Sequence, residues 1–335
     1  MSAHGQFTRT LKRIWPAAKW GMFGLVLIFV ARHGWNLWQQ VGNHKTQIHW
    51  LQLLPAVVAS IVAWFPSMWY WRRLITAFGT TVPWPTLARA YYCGHLGKYV
   101  PGKGAAVVIR SAMVKDAGVT PTTAALTVTI EALTCMWAGT LLAIGLSPVL
   151  ARHIPAEWAE RTADPVVRWG LFAIVVCGGA LTLAALFRTH HPLSQFFHQQ
   201  ADAPAANRGH PPWRSVLAGM VFFLGAWWVQ GLVLGLTIRA ISTEPPAWSD
   251  WPFWTGTTAL AMVGGFVAVF APGGLGVREG LLMELLQHEL GPHDAVLVAL
   301  LLRGVSLAGE ILAAGLLYYG VKGGRADVDD RDPGV

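Results

Sequence analysis

Charge is what this chain has least of. Asp, Glu, Lys and Arg make up 13% of its 335 residues, against 54% hydrophobic side chains. That ratio excludes a soluble domain of this size and points to a membrane. Acidic residues are scarcer than basic ones, 17 against 25, for a net charge of +8. The excess does not read as nucleic-acid binding: there is no soluble basic domain large enough to dock a duplex, and Lys and Arg in loops are what membrane orientation requires. Anionic lipid is the expected partner. The three cysteines, Cys93, Cys135 and Cys177, lie in or beside apolar segments and lack metal-ligand spacing, which leaves them packing roles. No phosphate-binding loop of the P-loop type occurs, so any pumping would draw on an ion or substrate gradient. No cofactor or metal is expected: His288-Glu289 followed by His293 misses the zinc-protease spacing by one residue, and Gly291-Pro292 interrupts the helix that would align them.

What the chain has in abundance is long apolar sequence. Apolar stretches, uncharged but for Arg168, recur at 48–71, 166–187 and 216–238, each able at 1.5 Å per residue to cross about 30 Å of hydrocarbon. The pattern predicts an all-α polytopic membrane protein with spans near 20–38, 48–71, 120–147, 166–187, 213–240 and 293–320, about six in all. Residues 1–19 read as a cytoplasmic N-terminal segment, 20–320 as one transmembrane domain and 321–335 as a polar cytoplasmic tail. The basic start before the first apolar run lacks a small-residue cleavage site, so that run is expected to be a retained helix rather than a signal peptide.

Two further stretches, 84–116 and 252–290, carry proline-glycine breaks: Lys98-Tyr99-Val100-Pro101-Gly102-Lys103-Gly104, and Ala271-Pro272-Gly273-Gly274-Leu275-Gly276-Val277-Arg278-Glu279. Proline removes a backbone donor and glycine releases helical geometry, leaving polar groups that lipid tails cannot satisfy. Such breaks survive only against protein or a water-filled cavity. Each stretch reads as a re-entrant hairpin or as two short spans, and both ends of the chain then share one side. Lys and Arg concentrate on that side, at 9–19, 72–115, 188–214 and 322–331, which predicts that it is cytoplasmic.

The two broken stretches also read as copies, with signatures near 94–147 and 265–320. Each break is followed by an arginine, a glycine, a proline near a helix start and an apolar helix carrying a charge: Glu131 lies 30 residues past Pro101, and Arg303 lies 31 past Pro272. Three spans separate the copies, an odd number, which predicts an inverted-topology repeat with a site between broken half-helices.

These segments carry the candidate lipid-headgroup residues. Pro101-Gly102 and Pro272-Gly273-Gly274 can begin half-helices whose free N–H groups attract an anion. Lys98, Lys103, Arg110 and Arg278 add positive charge, with Glu279 adjoining, and a phosphate group fits that combination. Lys98 and Lys103 could equally be loop charges that snorkel, whereas Arg278 stands on the side otherwise poor in basic residues. Glu131, Arg303 and Glu310 fall inside spans, where an unpaired charge costs about 2.5 to 3.5 kcal/mol on insertion scales. They are expected to face the interior in gating or structural roles. Arg303 and Glu310, seven apart, share a helical face, and an ion pair between Glu131 and Arg303 is expected to join the two halves.

The run from Gly94-His95-Leu96-Gly97-Lys98 through Arg110 to Gly118-Val119 resembles the first signature of the flippase-like family that shares the transmembrane region of lysylphosphatidylglycerol synthase. Ala271 through Gly280 resembles the second. The resemblance implies a bacterial inner-membrane protein that translocates an anionic phospholipid or lipid-linked intermediate. In the family's fused members an aminoacyl-transferase domain follows this region; here a short polar tail from Lys322 follows it, so lysyl transfer is not expected. One departure stands out: where the family pattern looks for a Glu-Arg pair, Glu131 is followed by Ala132. Three other functions stay open at this level. They are an accessory subunit presenting lipid to a lipid-modifying enzyme, a membrane-embedded transferase or hydrolase, and a small-solute transporter. No catalytic constellation is recognisable, so an enzyme is not the expectation.

Overall fold

The computed structural model of the chain describes residues 32, 35, 47–99, 104–153, 164–166, 169–170, 173–175, 177–179, 213–268 and 274–320. Every regular element among them is helical. A 3-10 turn, Trp50–Gln52, leads into α1 (Leu53–Val62), and α2 (Phe65–Ala77) continues it with Pro66 in its first turn, where a missing N–H costs nothing. Next come α3 (Trp84–His95), a 3-10 turn Leu96–Tyr99, and α4 (Ala105–Val114). Gly118, at φ 81°, turns the chain into α5 (Pro121–Gly145), which opens as its sequence predicts: Pro121 sits in the first turn and the Thr120 hydroxyl accepts from Thr123 N. Then follow α6 (Ser147–Leu150), α7 (Trp213–Arg239), α8 (Trp251–Val267) and α9 (Val277–Gly320). Gly291, with φ 79° and ψ 160°, breaks α9 before Pro292.

Among the described residues, four stretches are long and apolar enough to cross a membrane: Trp50–Ala77, Pro121–Gly145, Ser215–Arg239 and Val277–Gly320. They coincide with the spans expected at 48–71, 120–147, 213–240 and 293–320, so the protein is a multi-pass integral membrane protein. The spans expected at 20–38 and 166–187 lie largely outside the described residues. α3 and α4, with 12 and 10 residues, reach only about 18 and 15 Å at 1.5 Å per residue. Neither alone crosses about 30 Å of hydrocarbon, and α4 folds back against α3, which makes the pair a helical hairpin. The 17 residues of α8 also fall short, at about 25 Å, and the arm Val277–Leu290 returns from the second break.

Contacts between chain ends define two poles. At one pole Arg73 Nε donates to Ser215 Oγ, Arg72 Nε donates to Val82 O, and Arg89 lies over the Tyr318 ring. Val82, Leu87, Val114 and Val119 pack together there, which puts both outer ends of the first hairpin at this pole. At the other pole His49 N donates to Ala240 O, Arg239 Nη1 donates to Pro246 O, and His153 pairs with Glu289. Leu150, Ile241, Trp251 and Leu290 belong to one cluster at that pole, so the second hairpin starts and ends there. The hairpins therefore enter from opposite poles and converge. α7 and α8 approach closely through Gly231 and Gly235, where a Cβ would collide with Thr255 and Trp254; the small-residue spacing serves packing within the chain. Outward positions of the spans, among them Val58, Val62, Val221, Phe222, Ile311 and Leu316, are exposed and apolar, as a lipid-facing surface requires.

Candidate functional site

The site begins with two glycines. A Cβ at Gly97 would come within 2.6 Å of Ala106 N, and one at Gly94 would collide with the Arg110 side chain. The Gly94-His95-Leu96-Gly97 run thus lets α4 fold back against α3. That close approach aims Arg110 at α5, where Nη1 donates to Glu131 Oε2 at 2.8 Å with both side chains almost wholly buried. The guanidinium lies 4.1 Å from the Tyr91 ring centroid and 5.2 Å from that of Trp71. Charge pairing and two aromatic faces together offset its desolvation.

Lys98, in the turn after α3, donates from Nζ to Glu310 Oε1 at 2.5 Å and lies 2.9 Å from His95 Nε2. The Tyr99 hydroxyl donates to Glu310 Oε2 at 2.9 Å, so both oxygens of a carboxylate on α9 are held by the first hairpin. This is no snorkelling lysine: it ties the first hairpin to the last span. Arg303, on the same face as Glu310, lies 4.9 Å from the Tyr99 ring centroid and donates from Nη1 to Glu279 Oε1 at 3.3 Å. The other Glu279 oxygen accepts from Gly276 N at 2.8 Å. Glu279 is the third residue of α9, so this is the carboxylate half of a capping box that starts the returning arm.

The pair expected between Glu131 and Arg303 is therefore not formed. Glu131 bonds Arg110 within the first half, and Arg303 bonds Glu279 within the second. Among the described residues the halves are joined instead at Glu310, which takes Lys98 and Tyr99 of the first hairpin. The physical reason is the fold-back itself: each hairpin's returning arm lies against the long helix that follows, so each intramembrane charge meets a partner only 21 or 24 residues upstream. The polarity is reversed between the halves, arginine then glutamate in the first, glutamate then arginine in the second.

Between the hairpins is a cavity of about 330 Å³. His95, Lys98, Arg110, Glu131, Gly274 and Arg278 contribute to it from both hairpins, so Arg278 is not the isolated charge its position in the sequence suggests. The remaining wall is mostly apolar, with Val107, Leu133, Met136, Met262 and Phe266. Gly274 has φ +70°, and a Cβ there would meet Gly265 Cα at 3.0 Å, so this turn needs glycine for both shape and space. Arg278 is 7% exposed, lines the cavity, and makes no hydrogen bond or ion pair to a described residue. Among the described residues no hydrogen-bond partner meets the Tyr91 hydroxyl or Arg110 Nε, both of which are also buried. All three are donors, and a group rich in acceptor oxygens would satisfy them. At the rim Thr129 and Phe266 are exposed, and the Thr129 hydroxyl is turned back onto Ala125 O at 2.8 Å, leaving an apolar edge.

Of the residues expected to hold a headgroup, Lys98, Arg110, Gly274 and Arg278 come together in this cavity, and Glu279 supports it from the start of α9. Pro101, Gly102, Lys103, Pro272 and Gly273 lie outside the described residues. Glu131 lines the cavity, while Glu310 and Arg303 stand behind it as partners of Lys98 and Glu279. His95, Tyr91 and Tyr99 were not anticipated. The signal for His95 and Tyr91 was their spacing from Lys98, three and seven residues earlier and so on one helical face.

The family described as the lysylphosphatidylglycerol synthase TM region matches residues 18–314, and the chain belongs to it. No curated protein matches the chain.

Proposed function

We propose that this protein moves an anionic phospholipid or lipid-linked intermediate between the leaflets of the bacterial inner membrane. The observation that carries the reading is Arg278, a buried guanidinium that makes no hydrogen bond or ion pair to a described residue, set in a largely apolar cavity between two converging hairpins. An apolar edge at Thr129 and Phe266 supports lateral entry of a lipid, and membership of a lipid-handling family supports the class of substrate. Hairpins entering from opposite poles support the inverted repeat, in which half-helix ends meet at a central site. The pole rich in basic residues, with Arg72, Arg73, Arg89 and Lys115, is read as cytoplasmic, and both termini with it. Lys98, Arg110 and Glu131 at the cavity are held in ion pairs rather than as a nucleophile bonded to a base, which favours a carrier over an enzyme.

The test is translocation of fluorescent phosphatidylglycerol in proteoliposomes of the purified protein. Transport is expected without any partner, and Arg278→Gln is expected to slow it about tenfold or more, the worth of a hydrogen bond to a charged group. Arg278→Lys is expected to restore part of the rate, because a point charge replaces a planar fork. Absence of transport by the purified protein would overturn the carrier reading in favour of an accessory role.

A further inference from the structure

We propose that the cavity is matched to a headgroup carrying one net negative charge, a phosphodiester, and discriminates against phosphomonoester and pyrophosphate lipids. This rests on the translocation reading above and adds to it the charge of the substrate. The ionisable groups that face the cavity set its charge. Arg110 is neutralised by Glu131, at 2.8 Å, and Lys98 by Glu310. His95 Nε2 lies 2.9 Å from the Lys98 ammonium, which can only donate, so the ring accepts there and is neutral. Behind the wall Glu279 and Arg303 cancel each other. Arg278 is the one surplus charge among the described residues that line the site.

A phosphodiester would balance that surplus. Its two non-bridging oxygens fit the planar fork of Arg278. The Tyr91 hydroxyl and Arg110 Nε, buried and without a hydrogen-bond partner among the described residues, can serve further oxygens without altering the charge count. Met136, Met262 and Phe266 then face the glycerol and the first acyl carbons. A second negative charge would be buried without a counter-charge, the costly case in a water-poor interior. A zwitterionic headgroup would bring an ammonium to a site whose carboxylates, Glu131 and Glu310, are already engaged.

Ala132 makes the proposal testable in both directions, because it lines the cavity one residue from Glu131 and carries no charge. The purified protein in detergent is titrated with phosphatidylglycerol, phosphatidic acid and phosphatidylcholine of identical acyl chains, and with soluble glycerophosphoglycerol, with native mass spectrometry as readout. At about pH 8.5, where a phosphomonoester has lost its second proton, phosphatidylglycerol is expected to bind about tenfold tighter than phosphatidic acid. At about pH 5.5, where both carry a single charge, that gap is expected to close. Ala132→Arg adds a second unpaired cation and is expected to turn the preference towards phosphatidic acid, whereas Ala132→Gln, of comparable length, keeps it. Equal or tighter binding of phosphatidic acid by the unaltered protein at the higher pH would overturn the charge match while leaving lipid binding in place. So would an unchanged ratio in a folded Ala132→Arg protein. Binding of glycerophosphoglycerol as tightly as the lipid would instead overturn the lipid reading on which the inference stands.

Discussion

At the scale of single residues, the Arg110–Glu131 pair decides how well the first half holds together. Removing one member of a buried pair strands the other charge, at a cost of about 3 to 5 kcal/mol, whereas replacing both by apolar side chains is often neutral. Glu131→Gln is therefore expected to lower the melting temperature in detergent sharply, and Arg110→Met combined with Glu131→Leu to recover most of the loss. Glu131→Gln and Arg303→Gln, which touch different partners, are expected to add. Additive losses for Arg110 with Glu131, or strong coupling between Glu131 and Arg303, would contradict the geometry. That Glu131 and Arg303 needed partners was legible in the sequence, because a charge inside an apolar run must be compensated. Their identity was not legible. Arg110 falls in a stretch whose basic residues also satisfy membrane orientation, and only the close approach of α4 to α3 through Gly94 and Gly97 aims it inward.

At the scale of elements, the turn that starts α9 governs where Arg278 points. Gly274 and Gly118 both have positive φ, near 70° and 81°, yet an added Cβ meets the Gly265 backbone at the first and nothing at the second. Gly118→Ala should cost about 1 kcal/mol, the left-handed backbone penalty alone. Gly274→Ala should cost more and also weaken phosphatidylglycerol binding, since α8 and the returning arm must separate at the cavity wall. Thermal melts and binding measured on the two variants check this; equal stability losses with unchanged binding would show that the Gly265 contact does not position the site. The breaks themselves were plain in the sequence, since proline and glycine inside apolar sequence demand protein or water around them. The start of α5 at Thr120-Pro121 and the interruption at Gly291-Pro292 were equally plain. The closeness of the fold-back was not: nothing in the stretch 84–116 shows that Gly94 and Gly97 let α4 lie against α3 until the helices are seen together.

At the scale of the whole molecule, two hairpins from opposite poles meeting at one cavity make a definite claim about access from each side of the membrane. Asp116, after α4, is exposed at the pole that carries Arg72 and Arg73, and Ser249, before α8, is exposed at the other. With Cys93, Cys135 and Cys177 replaced, Ser249→Cys should react with a membrane-impermeant maleimide added outside cells. Asp116→Cys should react only after the membrane is opened. Thr129→Cys, at the apolar edge of the cavity, should resist the impermeant reagent from both sides yet react with a lipid-soluble one, because its path to the site runs through the bilayer. The reason for expecting this division is electrostatic as much as geometric. Lys98 of the first hairpin pairs with Glu310 of the last span, and Arg110 and Arg278 from the two hairpins line one cavity, so both hairpins must reach it. Labelling of positions 116 and 249 from a single side would contradict the entry of the two hairpins from opposite poles. Ready labelling of position 129 by the impermeant reagent would make the cavity a watery vestibule for a soluble anion instead of a lateral berth for a lipid.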